Sequence, residues 1–371
     1  MSLIKRLMIL QKAPPSDERV KLVGRRIHER RSQMSLYCGI DLHSNNSYLA
    51  VLDEQLRPVL GRRVANSLET ILAVLAPHQE QIAAVAVEST FNWYWLVDGL
   101  MEAGYHVELV NTSAVRQYEG LKYVDDRHDA RWLARLLQLG ILPTGYIYPK
   151  EQRALRDLLR RRSFLVRQRT ANLLSIKSLY SRQTGAQVPT KDLKRLTAEQ
   201  VADQFTDPLI VQAITCGVNV ADALKTEIAS LEKTILAQAR QRPEYALLES
   251  IPGIGQTLAM TILYETGSLS RFPDAGHFCS YCRCVPSQHL SNGKVKGKGN
   301  TRNGNPYLAW AFIETAHFAI RFEPLAKRYY ERKKARTNPL VALRAVAHKM
   351  ARACFYVMRD QVPFQAAQAF G

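Results

Sequence analysis

From residue 36 the chain alternates apolar and polar positions as LYCGIDLH, breaks at the turn-forming SNNS, and turns apolar again through YLAVLD. Two such runs around a polar tetrad predict a β-hairpin. A third strand is predicted over Pro58–Ala65, a helix over Glu69–Leu75, and the Val/Ala-rich IAAVAVE at 82–88 reads as a buried strand. A helix carrying Trp93, Trp95 and Leu96 runs to the stop at Gly104. HVELVN at 106–111 makes a fifth strand, and a helix from about Asp125 to Leu139 follows. Three strands and then alternating helix and strand is the order of an RNase H-like α/β domain, placed at residues 35–148.

The pattern changes to helix over 149–245. Arg153, Arg156, Arg160, Arg161, Arg162, Arg167 and Arg169 crowd one segment, with Leu155, Leu158, Leu159, Leu165 and Leu173 interleaved. Further on, Leu224, Ile228, Leu231 and Ile235 repeat at spacings of four, three and four, the seam of a coiled coil. So short a seam fits a helix packed inside its own subunit as well as one packed against a second copy.

A third region, 246–371, opens with Ser250-Ile-Pro-Gly-Ile-Gly255 before an apolar helix. This is a helix-hairpin-helix signature, in which Gly253 and Gly255 would expose backbone N–H groups to a DNA phosphate. The same residues also suit an ordinary turn between helices. A loop rich in Gly and Lys is expected over 292–304, then helices at about 306–320 and 338–357. The fold class expected is α/β plus α: an RNase H-like domain, a helical coiled-coil middle and a mainly helical C-terminal domain.

Charge sharpens this picture. The 371 residues carry 51 Lys and Arg against 33 Asp and Glu, a formal net charge of +18. An excess of that size points to a polyanionic partner, of which nucleic acid is the commonest. No apolar run approaches the length that spans a bilayer. Residues 1–34 are a basic extension without the apolar stretch or cleavage site of a secretory signal. Met34 begins a second MSL, so either Met1 or Met34 would serve as the start. The six cysteines follow no extracellular framework, which places the chain in a reducing cytoplasm.

Four carboxylates carry the candidate chemistry. Asp41 closes the first strand and Glu88 the fourth, while Asp126 and Asp129 are three apart on one helix face. In an RNase H-like sheet the first and fourth strands are neighbours and a following helix crosses them, so the four acids would converge. Hard oxygen ligands gathered in this way suit Mg²⁺ or Mn²⁺, and two such ions can stabilise the attacking and leaving oxygens of a phosphodiester exchange. Each acid also has a plainer reading: Asp41 as a turn cap, Asp126 as an N-cap, Asp129 as a partner of Arg131 or Arg135. Asp125, next to Asp126, is an equal ligand by spacing.

GIDLHSNN with Asp41, AVESTFNWY with Glu88, and DDRHDARWLARLL with Asp126 and Asp129 resemble the N-terminal domain of DEDD transposases of the insertion-sequence-110 family. The stretch from SIPGIG to GNPYL is similar to that family's second domain, and Piv-type DNA invertases share both. The resemblance covers about residues 36–365. It implies a RuvC-like metal site built from the four acids and a catalytic serine at Ser291 that would hold DNA as a phosphoserine. It further implies a cytoplasmic, prokaryotic protein that joins the nucleoid when active and works as a homodimer or tetramer on double-stranded donor and target DNA. A structured bridge RNA would guide it. The alternatives are a Piv-type invertase without guide RNA and a Holliday-junction nuclease using water. Two residues depart from the family pattern: Arg283 and Asn292 stand where glycine is usual.

Taken alone, a serine before Asn-Gly is a turn residue. Its neighbourhood is what singles Ser291 out: Lys294, Lys296, Lys298 and Arg302 among glycines form a cationic loop able to close on a phosphate. His289 is the nearest residue able to act as a base. Arg160, Arg161 and Arg162 are further candidates for the nucleic-acid backbone, and the ERKKAR run at 331–336 is either that or a solvated face. His277, Cys279, Cys282, Cys284 and His289 lack the second ligand pair of a zinc site. Trp93, Trp95, Trp132 and Trp310 fall at helical spacing and are expected in the core.

Overall fold

The apolar alternation at the start of the chain becomes a five-stranded mixed sheet. In the computed structural model its strands are β1 (Leu36–Leu42), β2 (Asn46–Leu52), β3 (Pro58–Ala65), β4 (Ile82–Glu88) and β5 (Val107–Val110). Their order is β3-β2-β1-β4-β5, with β1–β2 and β2–β3 antiparallel and β1–β4 and β4–β5 parallel. Helices α1 (Leu68–Leu75), α2 (Tyr94–Glu102) and α3 (Asp126–Gln138) complete this unit, which ends at Ile147. Residues 35–115, 125–286, 288–298 and 303–371 are described; the extension 1–34 and Arg302 lie outside the described residues.

Strand alternation sorts the two faces of the sheet. Cys38, Ile40, Leu42, Val85 and Val87 join Ile71, Leu75, Leu96 and Leu100 of α1 and α2 in one buried cluster. Each such side chain removed from water contributes about 1.5–3 kcal/mol. The opposite face carries Gly39 and Asp41 on β1 and Ala86 and Glu88 on β4, and α3 covers it through Leu133. A Cβ on Gly39 would collide with the backbone of Ala130 and Ala134, so glycine lets α3 lie directly on β1.

The second unit begins at Tyr148. Its long helix α4 (Lys150–Thr184) leads through the short α5 (Thr190–Leu193) and α6 (Ala198–Gln204) to α7 (Pro208–Ala239). α4 and α7 run antiparallel, Asn172 meeting Gly217 near one end and Arg162 meeting Glu232 nearer the other. Ile228 and Ile235 are buried, and Ile235 clusters with Leu159 of α4. Leu231 and Ile235 of the seam therefore pack within their own subunit.

After α7 come α8 (Pro243–Glu249), α9 (Gln256–Thr266), α10 (Ala275–Tyr281), the strands β6 (Gln288–Ser291) and β7 (Lys294–Lys298), α11 (Pro306–Phe322), α12 (Pro324–Arg336), α13 (Pro339–Asp360) and α14 (Ala366–Phe370). Buried apolar residues of α9, α10, α11 and α13 form a single core with Leu159 and Ile235. Two sequence expectations change here. The stretch expected as a loop from residue 292 begins as an antiparallel hairpin, and the segment between the two expected C-terminal helices is itself a helix, which carries the mostly exposed ERKKAR run. Trp310 is also more exposed than expected, whereas Trp93 is buried. Among the described residues no helix is long and apolar enough to cross a membrane.

Candidate active site

Asp41 and Glu88 are brought together by strand register. Ile40 pairs with Val87 across the parallel β1–β4 ladder, so the next residue of each strand, Asp41 and Glu88, stand side by side on the α3 face. Asp41 is 3% exposed. The Glu88 carboxyl is pushed up to about 8, first by its burial, then by its hydrogen bond to Asp41 and the charges of Asp41 and Asp129. Burial and the charge of Asp41 also raise Asp129, with Asp126 and Asp125 adding and His128 opposing.

Helix α3 delivers the other two acids from its first turn. Asp125 is the N-cap, its side chain accepting from the His128 N–H at 2.8 Å. That separates two residues the sequence left equal: Asp125 is committed to the helix terminus, and Asp126 points to the cluster. Asp126 Oδ1 lies 3.3 Å from His43 Nε2, and its Oδ2 is held at 2.5 Å by Arg63.

His43 and Arg63 were not among the expected site residues. His43 Nε2 is 3.1 Å from Asp41 Oδ2. Neither atom has a hydrogen-bond partner, although both are buried. The ligand atoms of Asp41, His43 and Asp126 lie within 4.8 Å of one another, the one such convergence of His, Cys, Asp or Glu among the described residues. A buried carboxylate oxygen without a donor is costly, and a divalent cation is the partner that fits this set. Asp41, Asp126 and His43 thus converge where β1 and the start of α3 come together, with Arg63 on Asp126, while Glu88 and Asp129 stand beside Asp41 as charge neighbours outside that tight group.

In the second unit, Ser291 ends β6 and pairs with Lys294 across a two-residue turn. Asn292 and Gly293 both have positive φ, 50° and 70°, which is the type I′ geometry that Asn-Gly favours. Ser291, Lys294 and Lys296 are exposed, and Lys298 ends β7. Arg283, at the base of this segment, has φ 56°. Both departures from the resemblance, Arg283 and Asn292, thus fall at left-handed positions, where glycine costs least. The Arg283 guanidinium donates to the carbonyls of Asn303 and Gly304 at 2.9–3.1 Å, and the Asn305 N–H donates to the Tyr281 carbonyl at 2.6 Å, so the chain is clamped on either side of the hairpin.

The arginine-rich segment divides. Arg160 forks onto Glu265 at 2.7 and 2.8 Å, and Glu265, 1% exposed, also accepts from Asn305. Arg162 pairs with Glu232 at 2.6 Å. Arg161 is exposed, its guanidinium 5.1 Å from the Phe164 ring. The two glycines of the PGIG turn divide as well. Gly253, φ 93°, sits against the backbone of α11, where a Cβ would come within 2.8 Å of Ala319 N and Thr315 O. Gly255 caps α9 and is open. Cys279, Cys282 and Cys354 are buried, and burial pushes their thiols up, as packing residues.

Residues 245–331 match the family described as Transposase IS116/IS110/IS902, and residues 38–182 match a second family, of DEDD transposases. The chain belongs to the IS110 family of transposases. It is 24% identical over 354 residues to the transposase for insertion sequence element IS1111A of Coxiella burnetii, covering 90% of each chain. It is 27% identical over 187 residues to the insertion element IS110 43.6 kDa protein of Streptomyces coelicolor, 47% of this chain and 46% of that one. The latter alignment spans about half of the Streptomyces protein. In this transposase the residues that the N-terminal match encloses include all four acids together with His43 and Arg63.

Proposed function

We propose that this transposase cuts and rejoins DNA strands at the cluster formed by Asp41, Glu88, Asp126 and Asp129, with Ser291 as the nucleophile. The observation that carries the reading is the buried Oδ2 of Asp41, which makes no hydrogen bond although His43 Nε2 lies 3.1 Å away, beside Glu88 and Asp129, whose carboxyls burial and the Asp41 charge push up. Such a set is unfavourable alone and favourable around cations. The sheet order and the α3 crossing support a RuvC-like reading of the domain. Asp41, Glu88, Asp126 and Asp129 would hold Mg²⁺ or Mn²⁺, which supplies charge stabilisation to the scissile phosphate and lowers the proton affinity of the attacking hydroxyl.

Ser291 suits the second role. It is exposed at the end of β6, and the facing strand β7 carries Lys294 and Lys296, so a phosphate brought to its Oγ meets positive charge. In the step proposed, the Oγ–P bond forms as a P–O bond to the adjacent sugar breaks, leaving a phosphoserine and a free sugar hydroxyl. Reversal onto a second DNA end rejoins the strands without an external energy source. The substrates are double-stranded donor and target DNA, the working form a homodimer or tetramer, and a structured guide RNA selects the sites by base pairing. A helix-hairpin-helix at 250–255 would add a phosphate contact through Gly255.

The test uses a plasmid bearing the element with its flanking DNA. Ser291→Ala should give no denaturation-resistant DNA–protein adduct, whereas Asp41→Asn and Glu88→Gln should lose metal-dependent cleavage with unchanged circular dichroism. Recombination that persists in Ser291→Ala would remove the serine, and cleavage without any adduct would assign the attack to water. Sequencing the nucleic acid that copurifies separates a guided enzyme from an invertase that needs no RNA.

A further inference from the structure

We propose that His43 is a direct ligand of the divalent cation held by the acidic cluster, and that its imidazole shifts the site's preference from Mg²⁺ toward Mn²⁺. The inference rests on the metal reading given above and deepens it, because the four acids alone would form an all-oxygen site.

Geometry carries it. His43 Nε2 lies 3.1 Å from Asp41 Oδ2 and 3.3 Å from Asp126 Oδ1, yet neither the nitrogen nor the Asp41 oxygen makes a hydrogen bond. Two polar atoms that close, buried and not aligned on each other, are placed for a third body between them rather than for mutual bonding. Asp41 is 97% enclosed, being 3% exposed, so water does not relieve its oxygen.

The surroundings hold the imidazole there. The His43 carbonyl accepts from the side-chain amides of Asn66 at 2.9 Å and Asn92 at 3.0 Å, and its N–H donates to the Asn46 carbonyl at 3.0 Å. The turn after β1 is thereby fixed from three separate segments. Arg63 takes Asp126 Oδ2 and leaves Oδ1 facing His43. Each carboxylate thus presents one oxygen to the same point as the imidazole nitrogen.

The chemistry follows from ligand type. Mg²⁺ demands oxygen ligands in near-octahedral geometry and gives up water reluctantly, whereas first-row transition ions accept imidazole nitrogen readily. Mn²⁺ tolerates both donor kinds and is the ion of that series closest to Mg²⁺ in its liking for carboxylate. One imidazole among several carboxylates therefore favours Mn²⁺ without excluding Mg²⁺.

Binding of the ions themselves tests this, with no DNA present. MnCl₂ added to the purified full-length protein should give a pulsed electron paramagnetic resonance spectrum with ¹⁴N modulation from a directly bound imidazole. His43→Asn should abolish that modulation and weaken Mn²⁺ binding by about tenfold or more, while Mg²⁺, measured by competition, weakens by less than about threefold. Bound Mn²⁺ that shows no ¹⁴N modulation, or an unchanged Mn²⁺-to-Mg²⁺ ratio in His43→Asn, would overturn the assignment. Asp41→Asn serves as the separate control. If Mn²⁺ binds the wild type and is lost in Asp41→Asn but ¹⁴N is absent, the His43 inference fails and the acidic site stands. If neither ion binds the wild type, the metal reading itself fails.

Discussion

Asp41 and Glu88 are neighbours across the parallel β1–β4 ladder, and the burial of Glu88, with its hydrogen bond to Asp41, favours the protonated form of the Glu88 carboxyl. Burial, with that bond, pushes Glu88 up from an ordinary 4.5 to about 8. A raised folded-state value means that the fold prefers the protonated acid. Its stabilising effect is complete below about pH 4.5 and is lost as pH rises through about 8. Metal-free protein should therefore lose thermal stability across that window, and Mn²⁺ or Mg²⁺ should restore it chiefly at the alkaline end. Melting curves with a chelator and with each ion, from about pH 5 to about pH 9, check this. Glu88→Gln should flatten the pH dependence; a wild-type melting temperature indifferent to both pH and metal would contradict the coupling.

The same site depends on one glycine that carries no chemistry. Gly39 shares the α3 face of β1 with Asp41, and a Cβ there meets the Ala130 carbonyl and the Ala134 N–H. Gly39→Ala would force α3 off the sheet and carry Asp126 and Asp129 with it. Overpacking of this kind costs about 1–3 kcal/mol. The distinguishing readout is metal affinity, which should fall in Gly39→Ala although every ligand remains, and which an undistorted site would keep.

Much of this was legible in the chain, and the exceptions have a common cause. Strand and helix positions in the first unit follow from local periodicity, so Asp41, Glu88, Asp126 and Asp129 could be placed from the residues alone. His43 and Arg63 could not, because their roles depend on register: β2–β3 pairing sets Arg63 opposite Tyr48, and the antiparallel return past Asn46 fixes His43. The β6–β7 hairpin did have a signal, Asn292-Gly293 between extended runs, which the surrounding lysines and glycines obscured. Arg160 and Arg162 of α4 have partners that local pattern does not reveal. Crowded positive charge suggests phosphate, but the partners Glu232 and Glu265 lie 70 and 105 residues further on.

That difference is measurable. Arg160 forks onto buried Glu265, so removing either partner leaves an uncompensated charge or an unfilled fork. Glu265→Ala should destabilise the protein by about 3–5 kcal/mol in denaturant titrations. Arg160→Ala should also lower stability, yet leave the slope of DNA affinity against salt unchanged, because its guanidinium already has a carboxylate. Lys294→Ala and Lys296→Ala should do the opposite, keeping stability while lowering the slope by about 0.9 for each phosphate that the missing lysine no longer neutralises. A salt slope that falls in Arg160→Ala would return that residue to the nucleic-acid surface.

The PGIG turn offers a cleaner separation, because its two glycines are needed for different reasons. Gly253 has φ 93° and its Cα faces the backbone of α11, with Ala319 N and Thr315 O both 2.8 Å from where a Cβ would stand. Strain and collision act together, and neither can relax without moving a helix. Gly253→Ala should therefore unfold at clearly lower denaturant, by about 2 kcal/mol or more. Gly255 has an ordinary negative φ of −95° and open space where its Cβ would point. Gly255→Ala should leave stability within about 0.5 kcal/mol of wild type. If the N-terminus of α9 approaches a phosphate as closely as a helix-hairpin-helix does, that methyl group should weaken DNA binding in a gel-shift assay at fixed salt. Unaltered binding in Gly255→Ala, with Gly253→Ala destabilised, would leave the segment as a turn whose glycine serves packing alone.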